Sequence, residues 1–263
     1  MAMFIEVVNV GSGLPNLTLL HGWGLNGAVW NGVRDALAQH FTLHLVDLPG
    51  HGRSHDVPVS TLDAFVDDVA SVLPDHTNLL GWSLGGHTAM ALTYKYPQRV
   101  NKLITVCATP RFVAADDWPQ GKKAEVLADF AARLSTNYLA TIRNFLALQA
   151  LNRSDPGYQP EMREVVRQLQ EAVGAFGAPS AEGMAASLDI LRVSDIRAQV
   201  PDITAPTLVI QGDHDALTST ASGEWLSQQF PQCRYCLIPH AAHAPFLSHR
   251  DIFLDEVNTF LAT

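Results

Sequence analysis

Asn78-Leu-Leu-Gly-Trp-Ser-Leu-Gly-Gly-His87 decides the fold. It opens on the end of an apolar run, centres on the G-x-S-x-G pentapeptide Gly81–Gly85, and passes into Gly86–Lys95, a helix-forming stretch. A serine between glycines at a strand-to-helix junction is the mark of a nucleophile elbow. The turn is strained, and the two backbones crowd it so closely that side chains two residues to either side of the serine do not fit. The following helix N-terminus aims its partial positive charge at the serine. Without that context the pentapeptide would be only a tight turn; with it, Ser83 is a candidate nucleophile.

Outward from this point, short apolar runs alternate with helical patterns, as expected of a parallel sheet with crossover helices. Strands are predicted at Phe4–Val10, Leu17–Leu20, Thr42–Val46, Asn78–Leu80, Leu103–Cys107, Thr207–Ile210 and Arg234–Ile238. Helices are predicted near Val29–Gln39, Thr61–Leu73, Gly86–Lys95, Ser222–Gln229 and Asp251–Leu261. From Pro110 to Asp195 the alternation stops. Helical patterns at Lys122–Ser135, Leu139–Leu151, Glu161–Val173 and Ala181–Leu191 follow one another, punctuated by Pro156, Pro160 and Pro179. A structureless loop of that length is implausible in a compact domain, so a helical insertion on the sheet edge is expected. The expected organisation is a core of residues 1–109 and 196–263, with 110–195 as a helical lid.

Composition narrows the function classes. Of 263 residues, 47% are hydrophobic and 16% charged, which fits a compact α/β chain and excludes a disordered one. Seventeen Lys+Arg against twenty-six Asp+Glu give a net charge of −9, a poor field for nucleic acid or an anionic membrane. Neither partner is expected. One stretch free of Asp, Glu, Lys and Arg, His76–Tyr94, reaches bilayer-spanning length, about 18 residues. Polar residues and glycines interrupt it, so it reads as a buried strand and helix. The N-terminus lacks the basic and apolar regions of a signal peptide. Three cysteines, Cys107, Cys233 and Cys236, are too few for a disulfide framework, and a cytoplasmic location is expected. Cys233 and Cys236 fall in a strand, where side chains three apart point to opposite faces, so packing is expected there, not redox chemistry.

A serine hydroxyl needs a positioned base and an orienting acid. In chains with this elbow the order is Ser, Asp/Glu, His. After the Thr207–Ile210 strand come Gly212-Asp213-His-Asp215. Asp215 is favoured because a Gly-x-x-Asp turn carries the acid clear of the strand end, with Asp213 in reserve. After the Arg234–Ile238 strand come His240 and His243; His243 sits deeper in the small, apolar Ala-Ala-His-Ala-Pro turn. His249 belongs at the start of the last helix. Acyl transfer also needs oxyanion donors. Leu84 N–H, just after the nucleophile, is one. Trp23 N–H, in the glycine-rich Leu19-Leu-His-Gly-Trp-Gly24 loop, is the other. Asp47-Leu-Pro-Gly-His-Gly-Arg-Ser54 is rich in turn residues and reads as scaffold around the site.

Together these motifs resemble the α/β-hydrolase family along essentially the whole chain, and within it the pimeloyl-(acyl-carrier protein) methyl ester esterases of biotin synthesis. The resemblance rests on Leu20–Asn26 with Val29-Trp30, His40–Gly50, Gly81–Gly86, Phe145–Gln149 and Ala241–Phe246. Phe145-Leu-Ala-Leu-Gln149 is the most specific, because it lies in the insertion, where relatives of different substrate class diverge. The resemblance implies an α/β-hydrolase fold, a mostly parallel sheet flanked by helices. It implies Ser83 as nucleophile, Asp215 as orienter and His243 as base, and settles Asp215 over Asp213. It further implies a substrate site formed by Trp23, Ser83, Leu84, Phe145, Leu146, Ala147, Leu148, Gln149 and His243, with no metal or organic cofactor. The rival readings are a broad short-chain carboxylesterase, a carbon–carbon bond hydrolase and a non-catalytic ligand receptor.

Acyl-carrier proteins are acidic, so a surface that docks one should be locally basic. Between Ala131 and Gln170 stand Arg133, Arg143, Arg153, Arg163 and Arg167 against Asp155, Glu161 and Glu164. Arg143, Arg153, Arg163 and Arg167 are the docking candidates, and Arg163 and Arg167 share one helix face. A carrier-borne ester as partner and a monomeric state complete the expectations.

Overall fold

The computed structural model describes residues 2–11, 13–150, 159–176 and 179–263. Seven strands form one sheet: β1 (Phe4–Val8), β2 (Asn16–Leu20), β3 (Thr42–Asp47), β4 (Thr77–Trp82), β5 (Val100–Val106), β6 (Thr207–Gly212) and β7 (Cys233–Ile238). Their order is β1-β3-β2-β4-β5-β6-β7; β1 runs antiparallel to β3 and every other pairing is parallel. The central strands are apolar because both faces are covered: Leu17, Leu19, Leu79, Leu80, Leu103, Ile104, Leu208 and Ile210 are all buried. Flanking them are α1 (Asn31–Leu37), α2 (Leu62–Val72), α3 (Leu84–Lys95), α8 (Thr220–Gln229), the short α9 (Pro245–Ser248) and α10 (Arg250–Ala262).

The first strand stops short of the predicted Val10. Asn9 takes a left-handed φ of 64°, which breaks the extended run, and Val10 is exposed. At β5 the difference has the opposite sign: the ladder begins at Val100, including Asn101 and Lys102, which the apolar pattern leaves out.

Among the described residues between β5 and β6 lie the α-helices α4 (Ala124–Thr136), α5 (Tyr138–Gln149), α6 (Gln159–Ala175) and α7 (Ala181–Val193). Where this segment leaves and rejoins the core, Arg111 pairs with Asp195 at 2.7 Å, and Arg197 reaches both Asp195 and Asp117 at 2.7 and 2.9 Å. These cations hold Asp195 down at a pKa of about 2. α7 also meets the loop after β3 backbone to backbone: a Cβ added at Gly183 would stand 2.5 Å from Gly50 Cα.

The chain passes from β2 to β3 on one side and then from β3 to β4 on the other. β2 and β4 are therefore the neighbours at which the strand order reverses. In open α/β sheets, ligand sites form outside the strand C-termini at that reversal. The loop after β2 carries Trp23, and the turn after β4 carries Ser83.

Candidate active site

Ser83 is the single residue between β4 and α3, with φ 57° and ψ −116°. Its N–H donates to Val106 O at 3.0 Å, pinning the turn to the end of β5. The flanking glycines are steric necessities. A Cβ at Gly81 would stand 2.2 Å from Gly85 O, one at Gly85 2.2 Å from Leu20 O, and one at Gly86 2.5 Å from Ala108 Cβ.

Asp215 lies three residues past the end of β6, in a turn its own carboxylate organises. Oδ1 accepts from Leu217 N (2.7 Å) and Thr218 N (3.0 Å); Oδ2 accepts from Thr218 Oγ1 (2.6 Å) and Gln211 Nε2 (3.2 Å). Oδ2 also meets His243 Nδ1 at 2.7 Å. Burial alone would raise this carboxyl pKa. The neighbouring His243 and the donors from Thr218 outweigh it, so the pKa stays below the ordinary value and the acid remains ionised. His243 is 1% exposed. Its N–H donates to Gln149 O at 3.0 Å, and its carbonyl accepts from Trp82 Nε1 at 2.7 Å. With Nδ1 on the acid, Nε2 is buried and has no hydrogen-bond partner among the described residues. That is the nitrogen a base presents to a serine. The reserve residues stand apart: Asp213 Oδ1 lies 3.9 Å from His214 Nε2, and His240 is exposed.

The loop after β2 is fixed from below and above. His21 is buried, with Nδ1 on Gly22 O (2.8 Å) and Nε2 accepting from Leu48 N (3.0 Å). Trp23 donates Nε1 to Met184 O at 3.1 Å and packs edge-on against Phe130 and Phe145. Its backbone N–H and that of Leu84 have no acceptor among the described residues.

Ser83 opens into a cavity of about 380 Å³ lined by Trp23, Phe112, Lys122, Val126, Leu127, Phe130, Phe145, Leu148, Leu188, Leu191, Ala216 and Leu217. Among the described residues, Lys122 is the only charged one lining it. A second cavity of about 220 Å³, between α4 and α7, shares Leu127 and Leu188 but contains none of Ser83, Asp215 and His243.

The run Phe145–Gln149 does not line this cavity as a unit, and here the sequence expectation needs correcting. An α-helix turns only residues three or four apart to one side. Phe145 and Leu148 face the cavity; Leu146 is buried beneath α5; Ala147 is exposed and lines a separate groove with Met162, Arg163, Val166, Arg167 and Gln170. Gln149 is buried and meets His243 through its carbonyl. Leu84 and His243 are buried and do not line the cavity. Of the docking arginines, Arg143 and Arg163 are exposed, Arg153 lies outside the described residues, and Arg167 is engaged by Glu164 (2.6 Å) and Glu171.

Several further residues complete the site: Thr218 and Gln211 on Asp215, which no sequence motif singles out, and Trp82 and Gln149 on the backbone of His243. Asp47 belongs with them. It accepts from Gly27 N (2.7 Å) and Arg53 Nε (2.7 Å), and the Arg53 guanidinium lies between the rings of Phe4 and Phe176. The turn-rich segment after β3 is thus a scaffold built on a buried ion pair. On β7, burial pushes the Cys233 and Cys236 thiols up to about 11, so neither is a thiolate at neutral pH.

A strained serine at a strand-to-helix turn, a buried Asp–His pair beyond later strands and an inserted helical segment define the class: the chain belongs to the α/β-hydrolase family, whose fold profile matches residues 15–250. More particularly, it is 38% identical over 250 residues to the pimeloyl-(acyl-carrier protein) methyl ester esterase of Nitrosomonas europaea, covering 95% of this chain and 96% of that one. It is 39% identical to the protein of the same name from Aeromonas hydrophila, covering 98% and 100%. Among solved structures, the esterase EaEST from Exiguobacterium antarcticum superposes with a TM-score of 0.85 at 22% identity over 99% of this chain and 96% of that one, a likeness of fold.

Proposed function

We propose that this chain is a carboxylic ester hydrolase that removes the methyl group of pimeloyl-acyl-carrier protein methyl ester, releasing pimeloyl-acyl-carrier protein and methanol for biotin synthesis. The observation that carries the chemistry is the 2.7 Å Asp215–His243 pair, which leaves Nε2 buried and unpartnered among the described residues, while Ser83 opens into the cavity. His243 Nε2 takes the Ser83 proton as Oγ attacks the ester carbonyl. The Trp23 and Leu84 N–H groups receive the oxyanion, each such donor being worth roughly 3–4 kcal/mol. Protonated His243 hands its proton to the departing methoxide, and water then cleaves the acyl-enzyme with the roles reversed. The largely apolar cavity suits the methylene chain of the acyl group. The segment 110–195 acts as a lid over the core of 1–109 and 196–263. Arg143 and Arg163 offer the acidic carrier a basic landing surface. No described helix is long and apolar enough to cross a membrane. The chain is read as a monomer that works in the cytoplasm on a carrier-borne ester, with neither nucleic acid nor membrane as partner.

The test is mass spectrometry of the carrier-bound methyl ester incubated with the protein, beside p-nitrophenyl acetate. The expected result is rapid loss of the methyl group, absent in Ser83→Ala. Turnover of the short ester alone would reduce the function to a general carboxylesterase.

A further inference from the structure

We propose that Asp213, His214 and His240 form a binding site for a divalent transition metal of the zinc type, which clamps together the two loops that carry Asp215 and His243. Asp213 and His214 directly precede Asp215 after β6, and His240 lies three residues before His243 after β7. The two loops already interlock through their backbones, Asp213 N on Ile238 O at 3.3 Å and His214 N on Ala241 O at 2.9 Å. One ligand atom from each of the three side chains lies within 4.8 Å of the others. The His214 and His240 ring centroids are 5.6 Å apart, and His214 Nε2 is 3.9 Å from Asp213 Oδ1.

A tetrahedral zinc ion with bonds near 2.0–2.1 Å holds its ligand atoms about 3.3 Å apart. Closing from at most 4.8 Å to that spacing lies within reach of side-chain rotation. Two atoms of the cluster, Asp213 Oδ1 and His214 Nδ1, are buried without a hydrogen-bond partner among the described residues. Buried polar atoms left unpaired call for a missing partner. His240 holds a left-handed φ of 62°, a strained conformation for a non-glycine residue of the kind that collects at ligand clamps. A further imidazole stands near: His249 feels the charges of both His240 and Asp213. Two imidazoles and one carboxylate suit zinc, cobalt or nickel rather than calcium or magnesium, which demand oxygen ligands. Cys107, Asp215 and His243 also come within metal-ligand spacing of one another. There the acid and the imidazole are bonded to each other, and burial holds the thiol protonated.

The probe is Co²⁺, added to full-length protein stripped with a chelator and read by visible absorption, with Zn²⁺ as competitor. The expected result is one equivalent bound in four-coordinate nitrogen–oxygen geometry, displaced by Zn²⁺, together with a raised thermal midpoint. The signal should fall at least tenfold in His214→Ala, His240→Ala and His240→Gln, and persist in Cys107→Ser. Turnover of p-nitrophenyl acetate by the metal-free histidine variants, within about twofold of wild type, shows that they are folded. Metal binding is read independently of ester hydrolysis, so it stands or falls apart from the proposed reaction. Absence of a Co²⁺ spectrum, a spectrum unchanged in the histidine variants, or one lost in Cys107→Ser would overturn the site.

Discussion

Ser83 sits at φ 57°, a region that costs a residue with a side chain on the order of 1–3 kcal/mol, and the surrounding structure leaves it no alternative. Gly81, Gly85 and Gly86 press the strand and helix backbones together, and Val106 O holds its N–H. The strain aims Oγ into the cavity and separates two variants that activity alone would not distinguish. Ser83→Ala keeps the strain and removes the nucleophile; Ser83→Gly removes both. Neither should hydrolyse esters above background, while urea denaturation should find Ser83→Gly more stable than Ser83→Ala by about 1 kcal/mol. Equal stabilities would mean that the elbow is not strained. Asp215 provides the complementary case. Asp215→Asn keeps the shape but leaves only one oxygen for acceptances now divided between two, and it no longer orients the imidazole. A fall in kcat of roughly 10⁴ is expected, in line with removal of the orienting carboxylate in serine hydrolases.

At the scale of elements, α5 shows what a pattern along the chain conveys and what it leaves open. Phe145 and Leu148 turn toward Ser83, whereas Ala147 turns to the groove beside α6. Phe145→Ala and Leu148→Ala should each raise KM for a long-chain ester roughly tenfold, from about 1–2 kcal/mol of lost apolar burial, with little change on p-nitrophenyl acetate. Ala147→Ser should change neither, and steady-state kinetics on both esters checks all three. The seven strands and the helices of the insertion were legible because periodicity and glycine placement are local. So was the placement of Ser83, Asp215 and His243, each beyond the end of a strand in the expected order. Facing was not legible: five consecutive residues can be named as a motif, but only the helix axis decides which two reach the cavity. Nor was the antiparallel β1, since pairing direction leaves no mark on a five-residue strand. The approach of Gly183 to Gly50 joins two glycines far apart in sequence, and the Asp213–His214–His240 cluster forms only when two loops meet.

At the scale of the whole molecule, charge has to be read after pairing. The chain is acidic overall, and the arginines of the insertion do not all count: Arg167 is neutralised by Glu164 and by Glu171, just beyond the stretch counted from the sequence. Arg143→Glu with Arg163→Glu should therefore lower kcat/KM on a carrier-bound ester by tenfold or more at low salt, and leave p-nitrophenyl acetate unchanged. Arg167→Ala alone should have little effect on either. Acid stability follows from three buried histidines. His21, His51 and His87 each have a pKa lowered chiefly by desolvation, that of His51 to about 3. His51 Nδ1 donates to Pro49 O at 2.9 Å, and its ring lies 5.5 Å from that of His21, so the loops after β2 and β3 share a neutral imidazole layer. In the unfolded chain each titrates near 6.5. Below that pH the unfolded state binds protons that the folded state refuses, so the stability these groups contribute is present above pH 6.5 and is lost as pH falls. His51 alone accounts for about 1.4 kcal/mol per pH unit between 6.5 and its own value near 3. The urea midpoint should hardly move between pH 8 and 7, then drop steadily from about pH 6.5, above the range in which carboxylates titrate. His51→Gln should flatten that slope by about 1.4 kcal/mol per pH unit whatever it does to stability at neutral pH. An unchanged slope would mean that His51 takes up its proton without unfolding.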